Sequence, residues 1–114
     1  MNQFEYLLIG HLIGDFLFQT NWMARNKSTK WIPLLTHVSV YTAVVFIMGW
    51  ISGGLSISAI FLICIGHIFL DRQKFVAFWV RTIQMADVKN KGWLSIVADQ
   101  IFHIIILAIA VCIS

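Results

Sequence analysis

Apolar residues gather into four stretches, roughly 4–20, 33–51, 56–75 and 93–113. A helix of about 20 such residues crosses a hydrocarbon layer of ~30 Å. Each stretch is therefore expected to be a membrane-spanning helix. The breaks between them are legible. Residues 21–30 are polar and basic, and Pro33 suits the first turn of a helix. Ser52, Gly53, Gly54 and Ser56 predict a tight turn. The third connection holds FVAFWVRTIQMADV, where dense apolar residues are interrupted by Arg81, Gln84 and Asp87. Either a short amphipathic helix at about 76–88, lying at the membrane interface, or a mixed loop fits that segment. The expected fold is all-α: one integral membrane four-helix bundle over residues 1–114.

Composition strengthens this picture. Of 114 residues, 60% are hydrophobic and only 11% charged, against about 25% charged in a soluble domain. The net charge of +3 does not imply a nucleic-acid partner, because no basic face alternates with exposed aromatics. Topology accounts for it better. Arg25, Lys27 and Lys30 lie between the first and second stretches. Arg72, Lys74, Arg81, Lys89 and Lys91 lie at or after the end of the third. The N-terminal tail, the second connection and the C-terminal tail have none. The positive-inside rule then predicts a multi-pass protein of the inner (cytoplasmic) membrane, with both termini on the non-cytoplasmic side. Trp22, Trp31, Trp79 and Trp93 suit the cytoplasmic interface, and Trp50 the opposite one. The N-terminus, MNQFEYLLIG, lacks the basic start and the cleavage site of a secretory signal. Cys64 and Cys112 make no metal motif and read as packing residues, although Cys64 is one turn from His67.

The ionisable residues inside the stretches change the picture most. Three of the four histidines have an aspartate four residues away: His11–Asp15, His67–Asp71 and Asp99–His103. On a helix such positions share a face. The order matters more. The first and third helices run toward the cytoplasm and read His then Asp. The fourth runs back and reads Asp then His. Reversed order on a reversed helix gives the same depth. His11, His67 and His103 should form one layer, and Asp15, Asp71 and Asp99 another, about 6 Å nearer the cytoplasm. His37, four residues into the second stretch, falls near the aspartate layer.

Ionised aspartate costs about 3 kcal/mol per residue in a bilayer, so three cost on the order of 9. A bound divalent cation would offset that. Imidazole and carboxylate are suitable ligands for zinc first, and for manganese, iron or nickel. The expected ligands are His11, Asp15, His67, Asp71, Asp99 and His103, enough for one metal or for two. His37 is a fourth imidazole or an acid/base group, and Asp15, Asp71 and Asp99 are the other candidates for acid/base work. Gln19, Thr36 and Gln100 flank the site and could bond ligands or substrate. Arg72, at the mouth, could attract a phosphate or headgroup. Polar packing between helices and a proton or ion pathway are the competing explanations.

Two smaller patterns bear on the architecture. Gly10 and Gly14 make a GxxxG step that allows close helix approach. IGHLIGD, residues 9–15, is similar to IGHIFLD, residues 65–71, and Trp31 precedes His37 by the same interval as Trp93 precedes Asp99. The chain thus reads as two copies of a helical hairpin, pairing His37 with Asp99 and Tyr41 with His103.

The motifs H-x3-D-F-x2-Q, a second H-x3-D and a late D-Q-x2-H resemble a family of small bacterial and phage multi-span membrane proteins catalogued as a domain of unknown function. More distantly, the chain is similar to predicted membrane-bound metal-dependent hydrolases. That second resemblance implies metal-activated water acting on a lipid or a small polar substrate. The alternatives are a transporter or channel for protons or divalent metal, and a structural phage or bacterial membrane protein without catalysis. Beyond the lipid bilayer, a homodimer is the expected partner for so small a bundle.

Overall fold

The computed structural model describes residues 1–86 and 92–114. Helix α1, Gln3–Leu12, starts where the Asn2 side chain accepts from the Glu5 N–H at 2.9 Å, a cap worth ~1 kcal/mol. It runs on as a π-helical segment, Ile13–Leu17, in which Phe18 N–H bonds Ile13 O at 3.0 Å. Thr20 caps a short helix, α2, Asn21–Asn26. Helix α3, Trp31–Ile51, carries Pro33 in its first turn. Gly53 and Gly54 then take φ of 117° and 97°, which side chains disfavour. Ser56 caps α4, Ile57–Asp71. Helices α5, Lys74–Thr82, and α6, Gly92–Ile113, follow. Among the described residues there is no strand.

Several boundaries depart from the hydropathy pattern. The first helical stretch ends at Leu17 rather than 20, and the polar run 21–30 contains α2. The third stretch, expected to reach residue 75, stops at Asp71, because Gln73 adopts a left-handed φ of 67°. The amphipathic helix begins at Lys74 and ends at Thr82. Residues 87 and 88 of the expected 76–88 helix, with Lys89 and Lys91, lie outside the described residues. Among the described residues six helices therefore stand where four spans and a possible interfacial helix were expected. Of these, α3 and α6 are long and apolar enough to cross a membrane, and α4 is an apolar helix of 15 residues.

Helix order repeats. A first arm (α1 with its π segment, then α4), a short helix (α2, then α5) and a long helix (α3, then α6) occur twice. Packing repeats too. Both first arms touch both α3 and α6, while α2 lies on α3 and α5 on α6. Helix α5 buries Val76 and Val80, one turn apart, against Leu70 and Ala98, and leaves Lys74 and Arg81 outside. Full burial of a valine stabilises by roughly 1.5–3 kcal/mol.

Gly10 and Gly14 do bring α1 close to α3. A Cβ on Gly14 would sit 3.2 Å from the Tyr41 Cα, and one on Gly10 would meet Met48 at 2.9 Å. This draws the His11 and Asp15 faces toward the α3 residues that complete the polar centre.

Burial is inverted relative to a soluble protein. All four histidines and Asp15, Asp71 and Asp99 are buried. Meanwhile Phe16, Phe46, Ile47, Ile57, Phe61 and Ile65 are among many large apolar side chains left exposed. A second, apolar cluster of Leu7, Val45, Ala59, Ile63, Leu107 and Ala110 lies toward the chain termini and the Gly53–Gly54 turn.

Candidate metal centre

The helices deliver the polar residues at matched heights. His67 lies ten residues after Ile57 at the start of α4, and His103 ten residues before Ile113 at the end of α6. Asp71, Asp99 and His37 each lie fourteen residues from Ile57, Ile113 and Ile51 respectively. The side chains meet because the reversed order on α6 cancels its reversed direction.

Four of them converge. His37 Nε2 is 3.0 Å from Asp15 Oδ1, 2.9 Å from His67 Nε2 and 3.2 Å from Asp71 Oδ2. His67 Nε2 is 2.8 Å from Asp71 Oδ2 and 3.6 Å from Asp15 Oδ1. A tetrahedral ion with bonds of ~2.0–2.1 Å sets its ligand atoms about 3.3 Å apart. The observed edges cluster around that value. Two imidazole nitrogens at 2.9 Å can share only one proton, so hydrogen bonding alone leaves this crowd of lone pairs short of donors. Asp71 is fully buried, and its oxygens face three imidazole nitrogens and the Lys27 ammonium. Asp71 also belongs to a second group with Asp99 and His103.

His11 is placed differently from the sequence-based expectation. It belongs to neither group, because both ring nitrogens are spoken for. Gln100 Oε1, which can only accept, takes the Nε2–H at 2.7 Å, and Tyr41 O–H donates to Nδ1 at 2.7 Å. Gln100 Nε2–H in turn donates to Asp15 Oδ2 at 3.2 Å. Tyr41, His11 and Gln100 thus form a chain of directed bonds that orients Asp15. His37, held in reserve by its position in the sequence, enters the convergent set.

Three other residues were expected near the site. Gln19 bonds the Asp15 backbone carbonyl at 2.8 Å, taking up an acceptor at the π segment. Thr36 bonds Ile32 O of its own helix at 2.7 Å and stays outside. Arg72 stacks over the Trp31 ring at 4.4 Å, a cation–π contact rather than a site contact. Cys64 faces a groove between α3 and α4, away from the centre.

Two contributors were not anticipated. Lys27 Nζ lies 3.2 Å from Asp71 Oδ2 and is 14% exposed. In the sequence it stands with Arg25, Arg72 and Lys74 at the mouth, where the topology rule accounts for its charge, and nothing there points to its contact with Asp71. The Tyr41 ring stacks on His67 with centroids 3.9 Å apart; its alignment with His103 in the internal repeat was the available signal. A cavity of about 390 Å³ adjoins the centre. Its wall includes Asp15, Lys27, Ser28, Gln73, Asp99 and Gln100. With neutral histidines, three carboxylates and one ammonium leave the cluster with two negative charges, which favours cation binding.

Residues 4–114 match the family model described as "Protein of unknown function (DUF3307)". The chain belongs to the DUF3307 family. No curated protein and no solved structure matches it. For this DUF3307 member, function must be argued from the centre itself.

Proposed function

We propose that the chain is a four-helix integral membrane protein of two repeated hairpins, set in the cytoplasmic membrane. In this proposal it carries a divalent metal centre and acts as a metal-dependent hydrolase of a lipid or small polar substrate. The observation that carries this is the convergence of Asp15, His37, His67 and Asp71: one ligand atom from each lies within 4.8 Å of the others, and the two imidazole nitrogens stand 2.8–3.6 Å from each other and from both carboxylates. Zinc fits such a set best, and manganese, iron or nickel also accept it. The inverted surface, apolar outside and ionisable within, supports a lipid surround.

A bound divalent cation supplies Lewis acidity and an activated water at neutral pH. The chain's own residues do the rest. The Tyr41–His11–Gln100 bonds hold Asp15 at its angle. Asp99, kept by Gln73 Nε2 at 3.2 Å on the cavity wall, is placed to take a proton from a water there. Lys27 offers a positive charge where negative charge gathers on the substrate. A cavity of about 390 Å³ is at the small end for ligand sites, which run from roughly 300 to 1,000 Å³.

Metal analysis of the purified chain tests the centre. Wild type should carry stoichiometric metal and His67→Ala should lose it; a metal-free wild type after reconstitution with zinc, manganese or iron refutes the proposal. Transport is the rival function, and the apolar cluster beyond the centre argues against a continuous polar path. Metal or proton flux in proteoliposomes at rates above empty vesicles would overturn the preference for hydrolysis.

A further inference from the structure

Asp71 divides its two oxygens between different partners. Oδ2 faces His67 Nε2 at 2.8 Å and His37 Nε2 at 3.2 Å, whereas Oδ1 faces His103 Nε2 at 3.3 Å. His103 Nε2 is buried and forms no hydrogen bond. Its tautomer follows from its other nitrogen: Nδ1–H donates to the Asp99 backbone carbonyl at 2.7 Å. That bond is the usual device for fixing a metal-binding imidazole. A neutral His103 then points a lone pair at a carboxylate lone pair in a dry site, which is repulsive. A proton on Nε2 would relieve this, but 3.3 Å is long for a charge-assisted bond, normally ~2.7–2.9 Å. A cation between the two atoms satisfies both. Asp99 completes the group, since one ligand atom from each of Asp71, Asp99 and His103 lies within 4.8 Å of the others. Asp99 also borders the cavity, so this second position faces incoming solute.

We infer that the centre holds two divalent cations bridged by the Asp71 carboxylate, the second bound by His103 and Asp99. This rests on the metal-centre proposal and adds to it. Two-metal centres of this kind, with ions ~3.5–4 Å apart, clamp the attacking and leaving oxygens of a displacement. Asp71 is the residue equipped to bridge, because its two oxygens already address both groups. His11, whose nitrogens are both committed, is excluded from either position.

The full chain in detergent, reconstituted with Mn²⁺, gives the test. Metal per folded chain is counted by elemental analysis, and electron paramagnetic resonance reports whether the ions are coupled. The expected result is two Mn²⁺ per wild-type chain with an exchange-coupled spectrum. His103→Ala should retain one Mn²⁺ with the hyperfine pattern of an isolated ion. Asp99→Asn, nearly isosteric, repeats the test if His103→Ala does not fold. One isolated Mn²⁺ per wild-type chain overturns the second position while leaving the metal centre standing. Two ions retained in both variants overturn the assignment of its ligands, and no metal in wild type overturns both proposals.

Discussion

Replacing Lys27 by methionine should make the metal centre bind more tightly. The ammonium lies 3.2 Å from Asp71 Oδ2, the oxygen that also faces His37 and His67. A cation entering the cage must displace it. At 14% exposure the lysine is largely withdrawn from water. A hydrogen bond to a charged group of this kind is worth ~1.5–3 kcal/mol. At 1.4 kcal/mol per decade, its removal should raise metal affinity about 10- to 100-fold. The same substitution leaves the Asp71 carboxylate without its cation, so the metal-free protein should melt earlier while the loaded protein does not. Competition against a chromophoric chelator for Co²⁺ or Zn²⁺, with full-length protein in detergent, measures the affinity. Lys27→Arg keeps the charge and should behave as wild type; Lys30→Met, at an exposed position, should change nothing. A folded Lys27→Met that binds metal equally or more weakly refutes the displacement argument.

Other expectations are quickly checked. His11→Ala should keep its metal with affinity lowered about 10- to 100-fold, as loss of an orienting partner does, whereas His37→Ala should lose the metal outright; elemental analysis separates them. Gly14→Ala forces a Cβ to 3.2 Å from the Tyr41 backbone and should cost roughly 1–3 kcal/mol by overpacking. Gly92→Ala, with nothing within 4 Å, should cost none, and thermal melts in detergent compare the two. Metal binding requires neutral imidazoles at His37 and His67, so affinity should climb with pH by roughly tenfold per unit for each proton displaced and then level off. A pH-independent dissociation constant would contradict ligation by these histidines.

The convergence of most of the polar residues was legible because it follows from two simple facts, the helical period and the alternation of chain direction. His67, Asp71, Asp99 and His103 meet as their order predicts. The division of labour among the imidazoles was not legible. His11 and His67 sit in similar heptapeptides, IGHLIGD and IGHIFLD, that share Ile-Gly-His and the closing Asp, yet only His67 joins the cage. The difference comes from Tyr41 and Gln100 on two other helices, and spacing within one helix carries no information about them. Lys27 was hidden for a related reason. Its place depends on α2 packing the polar run against α3, which brings Lys27 to Asp71 at the end of α4, and a short helix such as NWMARN has little periodic signal of its own. The capping Thr20 was its one local mark. The π segment at Ile13–Leu17 reads as ordinary apolar helix; its Gly14 is pressed onto Tyr41, a contact that exists only after α1 has docked on α3.

The unequal lengths of the helices have an electrical consequence. At ~1.5 Å per residue, α4 with its 15 residues rises about 22 Å, whereas the 21 residues of α3 rise about 32 Å. Where α3 and α6 set the thickness of the surrounding lipid, the first arms stop roughly 9 Å short of it. The cavity lined by Asp15, Gln19, Lys27 and Gln73 sits where both first arms end. Water can follow it inward, so the insulating layer over the ionised residues is locally thin. In the proposed membrane setting, charges that look deeply immersed when counted along α6 are, from the side of α4, close to the aqueous phase.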